Sequence, residues 1–317
     1  MKVKTFAGGV LLLAASFYAG CNDVTGVDDE FGEVELLYEF TFEKVSYPYL
    51  VDASIDGEFH LIWGHVEGKS ERALFYLEPE TGKLATIVSS SELTFYGPRL
   101  SPDKKNVFFS ELSGIYVVPV AGGEPRLVYG SGLNPTPVQW LDEDTFLMYV
   151  IEDRWVVNTL NINTLEVETL FDLDDLDLVG GVWSVDVWAI CLSPDRKFLS
   201  LNGMRSKEEF GPSESFSRIY DTRTLEYKEY VRGENGIGYL PDGPWSPDGT
   251  KIFINVSNPD AHLGYFDFAT SDDVMVFRSK KLDIGHYPGI WSPDGKKLLA
   301  SEDRDDNILR VFALDAE

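Results

Sequence analysis

The sequence predicts an all-β fold, a six-bladed β-propeller closed by its own N-terminal strand. Three observations predict it. A short turn motif recurs along the chain, clearest as Trp-Ser-Pro-Asp-Gly at 245–249 and again at 291–295. A second hairpin pattern recurs downstream of the copies. The last unit is one strand short at the C-terminus, while a spare strand stands at the N-terminus.

The motif has the chemistry of a tight hairpin. Ser and Asp side chains bond nearby backbone N–H groups, Pro presets φ, and Gly accepts positive φ. An apolar run follows, as a strand requires. Weaker copies are Leu100-Ser101-Pro102-Asp103 and Leu192-Ser193-Pro194-Asp195. Ala53-Ser54-Ile55-Asp56-Gly57 lacks the proline, and Trp140-Leu141-Asp142 keeps the Trp and an acidic turn. Anchored at Ser54, Ser101, Leu141, Ser193, Ser246 and Ser292, the copies lie 47, 40, 52, 53 and 46 residues apart. A unit of that length holds the four strands of a propeller blade.

The downstream hairpins complete the units. They are Leu74 to Leu77 with a turn at Thr81-Gly82, then Ile115 to Val118 with Gly122-Gly123. Val156 to Thr159 follows with Asn163-Thr164, Arg218 to Tyr220 with Arg223-Thr224, and Gly264 to Phe266 with Thr270-Ser271-Asp272. Ile308 to Leu314 is the third strand of the sixth unit, and the chain ends where its next turn would begin. Val34 to Phe42 is the spare strand. Pairing it beside 308–314 closes the ring and removes the exposed edges an open ring would carry.

The Trp-Ser-Pro-Asp-Gly units resemble the β-propeller repeats of the TolB type, a branch of the WD-repeat-like group, over about residues 34–317. The resemblance implies a propeller fold and, most often, protein–protein contact or substrate gating. It does not imply one function, because function resides in the site.

Residues 1–20 read as a targeting segment. Lys2 and Lys4 form a basic start, and Ala7 to Ala19 is an apolar stretch too short for a spanning helix. It ends Ala19-Gly20-Cys21, which resembles the bacterial lipoprotein signal, in which that cysteine is lipidated and becomes the mature N-terminus. The resemblance implies an exported protein of the bacterial cell envelope, anchored to a membrane through a lipid on Cys21. Residues 21–33, acidic and without period, read as a flexible tether. Residues 34–317 read as the propeller. Cys191, the second of two cysteines, falls in a β-prone run and reads as a small buried apolar residue.

The net charge is −26. That excludes nucleic acid as a partner, since a basic face supplies most of such affinity. It also opposes docking on anionic lipid heads.

No catalytic signature emerges. Gly-x-Ser-x-Gly, His-Glu-x-x-His, Cys-x-x-Cys and a phosphate-cradling loop are all missing. The chain ends inside its last blade, so the serine hydrolase domain that follows many TolB-like propellers is not expected. His60, His65, His262 and His286 fall in different parts of their blades, which argues against a shared metal. The acidic clusters 172–177 and 303–307 offer oxygens to a cation such as calcium, but neither has the calcium-loop spacing or its glycine. Solvated turns are the expectation, and no cofactor is expected.

The predicted function is binding without catalysis, to a protein, peptide or glycan. The alternative is a propeller-type polysaccharide lyase resembling oligogalacturonate lyase and using a metal with His ligands. The binding site is expected at the mouth of the central channel, on the segments entering each first strand. Seven and five residues before the anchors stand Tyr47, Tyr49, Tyr96, Asn134, Asp186, Trp188, Tyr239 and Tyr287, with His286 alongside. Positions two apart share one side of an extended strand. The competing reading packs the same aromatics between adjacent blades.

Overall fold

The structure is a computed structural model. It describes residues 3–4, 35–54, 56–112, 114–130, 135–151, 155–172, 184–206, 213–231, 244–256, 261–270, 272–279, 290–292, 294–301 and 307–316. Among these residues there is no helix, so none long and apolar enough to cross a membrane. Of the expected leader and tether, only residues 3 and 4 are described; Cys21 lies outside.

The described residues form six antiparallel sheets. Val3–Lys4 (β1) and Glu35–Thr41 (β2) come first in the chain and join the last sheet. The first sheet is Val45–Ala53 (β3), His60–Val66 (β4), Arg72–Glu78 (β5) and Lys83–Ser90 (β6). The second is Tyr96–Leu100 (β7), Asn106–Glu111 (β8), Gly114–Pro119 (β9) and Arg126–Tyr129 (β10). The third is Thr136–Trp140 (β11), Thr145–Ile151 (β12), Trp155–Asn161 (β13) and Val167–Asp172 (β14). The fourth is Ser184–Leu192 (β15), Phe198–Ser206 (β16), Ser213–Asp221 (β17) and Tyr227–Val231 (β18). The fifth has three strands, Lys251–Val256 (β19), Ala261–Asp267 (β20) and Asp272–Ser279 (β21), with a single bridge from Trp245 to Ile252 at its inner edge. The sixth comprises Ile290–Trp291 (β22), Lys297–Ser301 (β23) and Ile308–Asp315 (β24), followed by β2 and β1.

The motif turns are built as their residues dictate. Ser246 Oγ donates to Asp248 Oδ1 at 2.6 Å and accepts from the Lys251 N–H at 2.9 Å; Asp248 Oδ1 accepts from the Thr250 N–H at 3.0 Å. The same three bonds recur at Ser54, Ser101, Ser193 and Ser292. The fourth turn residue is left-handed throughout. Gly249 and Gly295 take it at φ 72° and 70°, and Lys104 and Arg196 take it at 62° and 60° where the sequence lacks a glycine. The recurring Asp is therefore a turn cap.

Six apolar clusters join consecutive sheets. Leu61, Leu74, Val107 and Phe109 join the first to the second, and Phe108, Val117, Phe146 and Met148 the second to the third. Leu147, Val157, Leu201 and Phe216 join the third to the fourth; Ile219, Ile252 and Ile254 join the fourth to the fifth. Cys191 packs against this last group. Phe253, Tyr265, Leu298 and Leu314 join the fifth to the sixth. Phe40, Phe42, Val311, Ile62 and Phe75 join the sixth back to the first. Alternate residues of each strand thus serve the two neighbouring sheets, as period-2 alternation requires. First strands of neighbouring sheets also touch, β3 with β7, β7 with β11, and β11 with β15, which places them innermost. The architecture is an all-β propeller.

The spare strand lies beside the last one. β2 pairs antiparallel with β24, Glu35 opposite Ala313 and Thr41 opposite Ile308. Two ion pairs tie it down, Arg310 Nε to Glu39 at 2.8 Å and Lys297 Nζ to Glu35 at 2.6 Å. β1 extends this sheet outward, Val3 opposite Phe40.

Candidate functional site

The first and second sheets part at the end where their inner strands begin, here called the inlet face. The turn motifs stand at the other end. β4 carries Trp63 and His65 towards the second sheet. Arg72, the first residue of β5, lies directly opposite His65 in the register, because the turn after Val66 returns the chain in place. The ring of His65 meets Trp63 edge-on at 5.1 Å and Tyr47 at 5.9 Å.

Residues 94–98 of the second sheet form the facing wall. Thr94 donates its N–H, at 2.7 Å, and its hydroxyl to Glu111 Oε2, while Glu111 Oε1 takes the Leu112 N–H at 3.0 Å. Burial pushes the Glu111 carboxyl up, but these bonds and the nearby Arg72 charge outweigh it and hold it below the usual range. Phe95 stands in the left-handed region at φ 53°, is 2% exposed, and meets Phe109 edge-on at 4.9 Å. Its turned-in ring leaves Tyr96 outside, 56% exposed.

Between these walls is a cleft of about 310 Å³, lined among others by Val51, Trp63, His65, Arg72, Tyr96 and Pro98. Burial first, and then the facing Arg72 guanidinium, hold the His65 imidazole below its ordinary value. A larger cleft of about 760 Å³ opens on the opposite face, with Lys83, Lys104 and Lys105 in its wall. All three lysines are already matched, to Glu78 at 2.9 Å, to Asp56 and Glu58, and to Asp103 at 2.8 Å. In the inlet cleft, by contrast, no described carboxylate lies within ion-pair distance of Arg72.

The expected channel-mouth residues fall as follows. Tyr96 lines the cleft, and Tyr47 stands against His65 of its wall. Tyr49 is half-buried among the apolar residues between the first two sheets and meets Trp63 at 5.8 Å. The expected alternation breaks here. The ladder slips between Ser46 and Tyr49, and Tyr47 is left-handed at φ 53°, so Tyr47 and Tyr49 do not share one face of a regular strand. Asp186 and Trp188 lie in β15, with a slip between Val187 and Ala189. Asn134, Tyr239, His286 and Tyr287 lie outside the described residues, as do 173–177 and 303–306 of the acidic clusters. His60 is buried at the opposite end of β4, and His262 lies in β20 of the fifth sheet, apart from His65. Among the described residues no three His, Cys, Asp or Glu side chains are placed to hold a metal. Sequence reasoning missed Trp63, Arg72 and Phe95. The turn residues Gly68-Lys69-Ser70 were the signal that pairs His65 with Arg72; nothing local marks Phe95.

No family model matches the chain, and no curated protein matches it in sequence. Solved structures do. An oligogalacturonate lyase in complex with manganese superposes with a TM-score of 0.59 at 15% identity, over 91% of this chain and 96% of the other. An oligogalacturonate lyase from Vibrio parahaemolyticus gives 0.57 at 14%, over 89% and 98%. A protein described as a putative TolB, from Agrobacterium tumefaciens, gives 0.55 at 16%, over 86% and 91%. At such identities the likeness is one of fold, and the fold that this chain shares with them is the β-propeller.

Proposed function

We propose that this chain is a lipid-tethered, extracytoplasmic propeller of six blades that binds a partner at the inlet cleft and performs no catalysis. The six clusters, the last returning to the first sheet, and the pairing of β2 with β24 support a closed six-bladed ring. The segment ending Ala19-Gly20-Cys21 supports export to a bacterial envelope and anchoring through Cys21. The likeness to TolB and to lyases supports the fold of the reading and leaves the choice between binding and chemistry to the site.

One observation carries the binding reading. Tyr47 and Phe95 both hold left-handed backbone at φ 53°; Phe95 lines the cleft, and Tyr47 meets His65 of its wall. Such conformations cost about 1–3 kcal/mol each in non-glycine residues and cluster at ligand sites. Here they set out Tyr96 and Tyr47, 56% and 41% exposed, as a rigid aromatic rim over Trp63 and His65. Aromatic rims give wide contact at small entropic cost. The partner is a protein, peptide or glycan of the envelope.

The test is capture from detergent-solubilised native envelopes with the parent, Tyr96→Ala and Tyr47→Ala. Loss of the captured partner at unchanged melting temperature supports the cleft. Equal capture by all three overturns it. Cys21→Ser should move the protein out of the membrane fraction, and mass spectrometry of the parent should find an acylated Cys21. Turnover of pectic substrate by pure protein, abolished by one substitution at the cleft, would establish the lyase instead.

A further inference from the structure

Arg72 and His65 form an unusual pair. They are directly opposite across β4 and β5 and share the cleft wall. Burial, and then Arg72, favour the neutral imidazole, so the guanidinium is the charge that this wall presents. The protein carries 53 acidic residues against 27 Lys and Arg, so acids are plentiful to neutralise a lone arginine. Yet the carboxylate whose charge Arg72 feels, Glu111, has its oxygens occupied by Thr94 and Leu112.

We propose that the inlet cleft takes the C-terminal residue of a peptide, its free carboxylate held by Arg72 beside His65 and its apolar side chain laid on the aromatic floor. This rests on the reading of the cleft as the binding site and names the chemistry of its ligand. A guanidinium matches a carboxylate two bonds at a time. Capture of a terminal carboxylate is a recurring mode of peptide recognition. The rest of the lining decides between carriers of a carboxylate. Val51, Phe95, Gly97 and Pro98 offer no polar side chain, and the Thr94 hydroxyl is bonded to Glu111. A uronic acid would bring a ring of hydroxyls to a wall whose other polar side-chain groups are the Trp63 N–H, the His65 ring and the Tyr96 hydroxyl. A C-terminal Leu or Phe brings an anion and an apolar group on one unit, in a cleft of about 310 Å³.

The test titrates the folded protein with the peptide acetyl-Ala-Ala-Phe as free acid and as C-terminal amide, and with galacturonic acid. Binding is read by calorimetry and by the His65 ring signals in NMR. The free acid should bind at least tenfold more tightly than the amide and raise the pH at which His65 titrates. Arg72→Gln should lose that discrimination while keeping the parent's melting temperature, and Arg72→Lys should keep part of it. Equal binding of acid and amide, or binding of neither, overturns the inference. Galacturonic acid binding through Arg72 while the peptide acid does not bind overturns it as well. If Tyr96→Ala abolishes partner capture but the peptide acid does not bind, the cleft stands and the C-terminal reading falls; if Tyr96→Ala changes neither, the cleft itself falls. The acid–amide comparison needs no variant, so a misfolded Arg72→Gln leaves the test intact.

Discussion

Trp291 donates its indole N–H to the carbonyl oxygen of Pro244, 2.9 Å away in the preceding blade. The bond repeats with the motif. Trp245 reaches the Cys191 carbonyl at 3.4 Å, and Trp140 the Arg99 carbonyl at 3.1 Å. The motif tryptophan is thus a staple between consecutive sheets. Where the motif has Leu instead, the preceding inner strand supplies the bond. Asp52 Oδ2 accepts the Leu100 N–H at 2.8 Å, and Gln139 both accepts the Leu192 N–H at 2.8 Å and donates to the Leu192 carbonyl at 2.9 Å.

Trp291→Phe should therefore cost more than its lost area, because it removes one of the two bonds to the Pro244 carbonyl and leaves only that from the Phe253 N–H at 3.0 Å. A loss of about 0.5–1.5 kcal/mol from the bond itself is expected. Gln139→Ala, which strips two backbone groups of Leu192 at once, should cost at least as much. Urea unfolding of both variants checks this, and the denaturant dependence should keep the parent's slope.

How much of this was legible follows from the range of each interaction. The turns were, because Ser246, Asp248 and Gly249 settle their bonds within six residues. The strand pairing of β2 with β24 followed from counting strands. The Asp52 and Gln139 bonds were not legible, since each spans about 50 residues and uses a position with no motif. The cleft was half legible. Tyr47 and Tyr96 stand out by count from the anchors, but the left-handed turns at Tyr47 and Phe95 override strand alternation. Nothing in Thr94-Phe95-Tyr96 says which ring turns inward; the apolar surface of Phe109 in the same sheet and Val51 in the next decides it.

A small gain in stability is available at Leu165. It ends the turn after β13 in the left-handed region at φ 59°, and its N–H bonds the Asn161 carbonyl at 2.9 Å. The first sheet puts Gly82 at the same place, φ 67°, with the matching bond to Glu78. Leu165 is 49% exposed and loses little packing. Left-handed backbone costs about 1–2 kcal/mol in a non-glycine residue, and glycine returns about 0.5–1 kcal/mol of that through the unfolded chain. Leu165→Gly should raise stability by about 0.5 kcal/mol, readable as a melting temperature about 1–2 °C higher.

Deleting residues 34–42 should cost far more than any point substitution. It removes Phe40 and Phe42, 1% and 2% exposed, from the cluster joining the last sheet to the first, and bares the edge of β24. An exposed strand edge templates association. Light scattering should show aggregation where the parent stays monodisperse. A deletion variant that melts like the parent would mean that the ring is held closed by other contacts.

The same seam carries a titrating group. His60 of β4 is 2% exposed, and the Tyr38 hydroxyl of β2 lies 2.9 Å from Nδ1 and 3.0 Å from Nε2. Burial pushes the imidazole down to about 4. In the unfolded chain it titrates near 6.5. Between those values the unfolded state binds more protons than the folded one, so stability rises with pH there. The neutral His60 stabilises the fold fully above about pH 6.5, and that contribution is lost as pH falls towards 4. The whole shift amounts to about 3 kcal/mol. His60→Gln keeps a polar partner for Tyr38 but cannot titrate. Its stability should fall less steeply than the parent's between pH 7 and pH 4.5, whatever its starting value at pH 7. Parallel curves for the two proteins would show that the acid sensitivity of the fold lies elsewhere than at this seam.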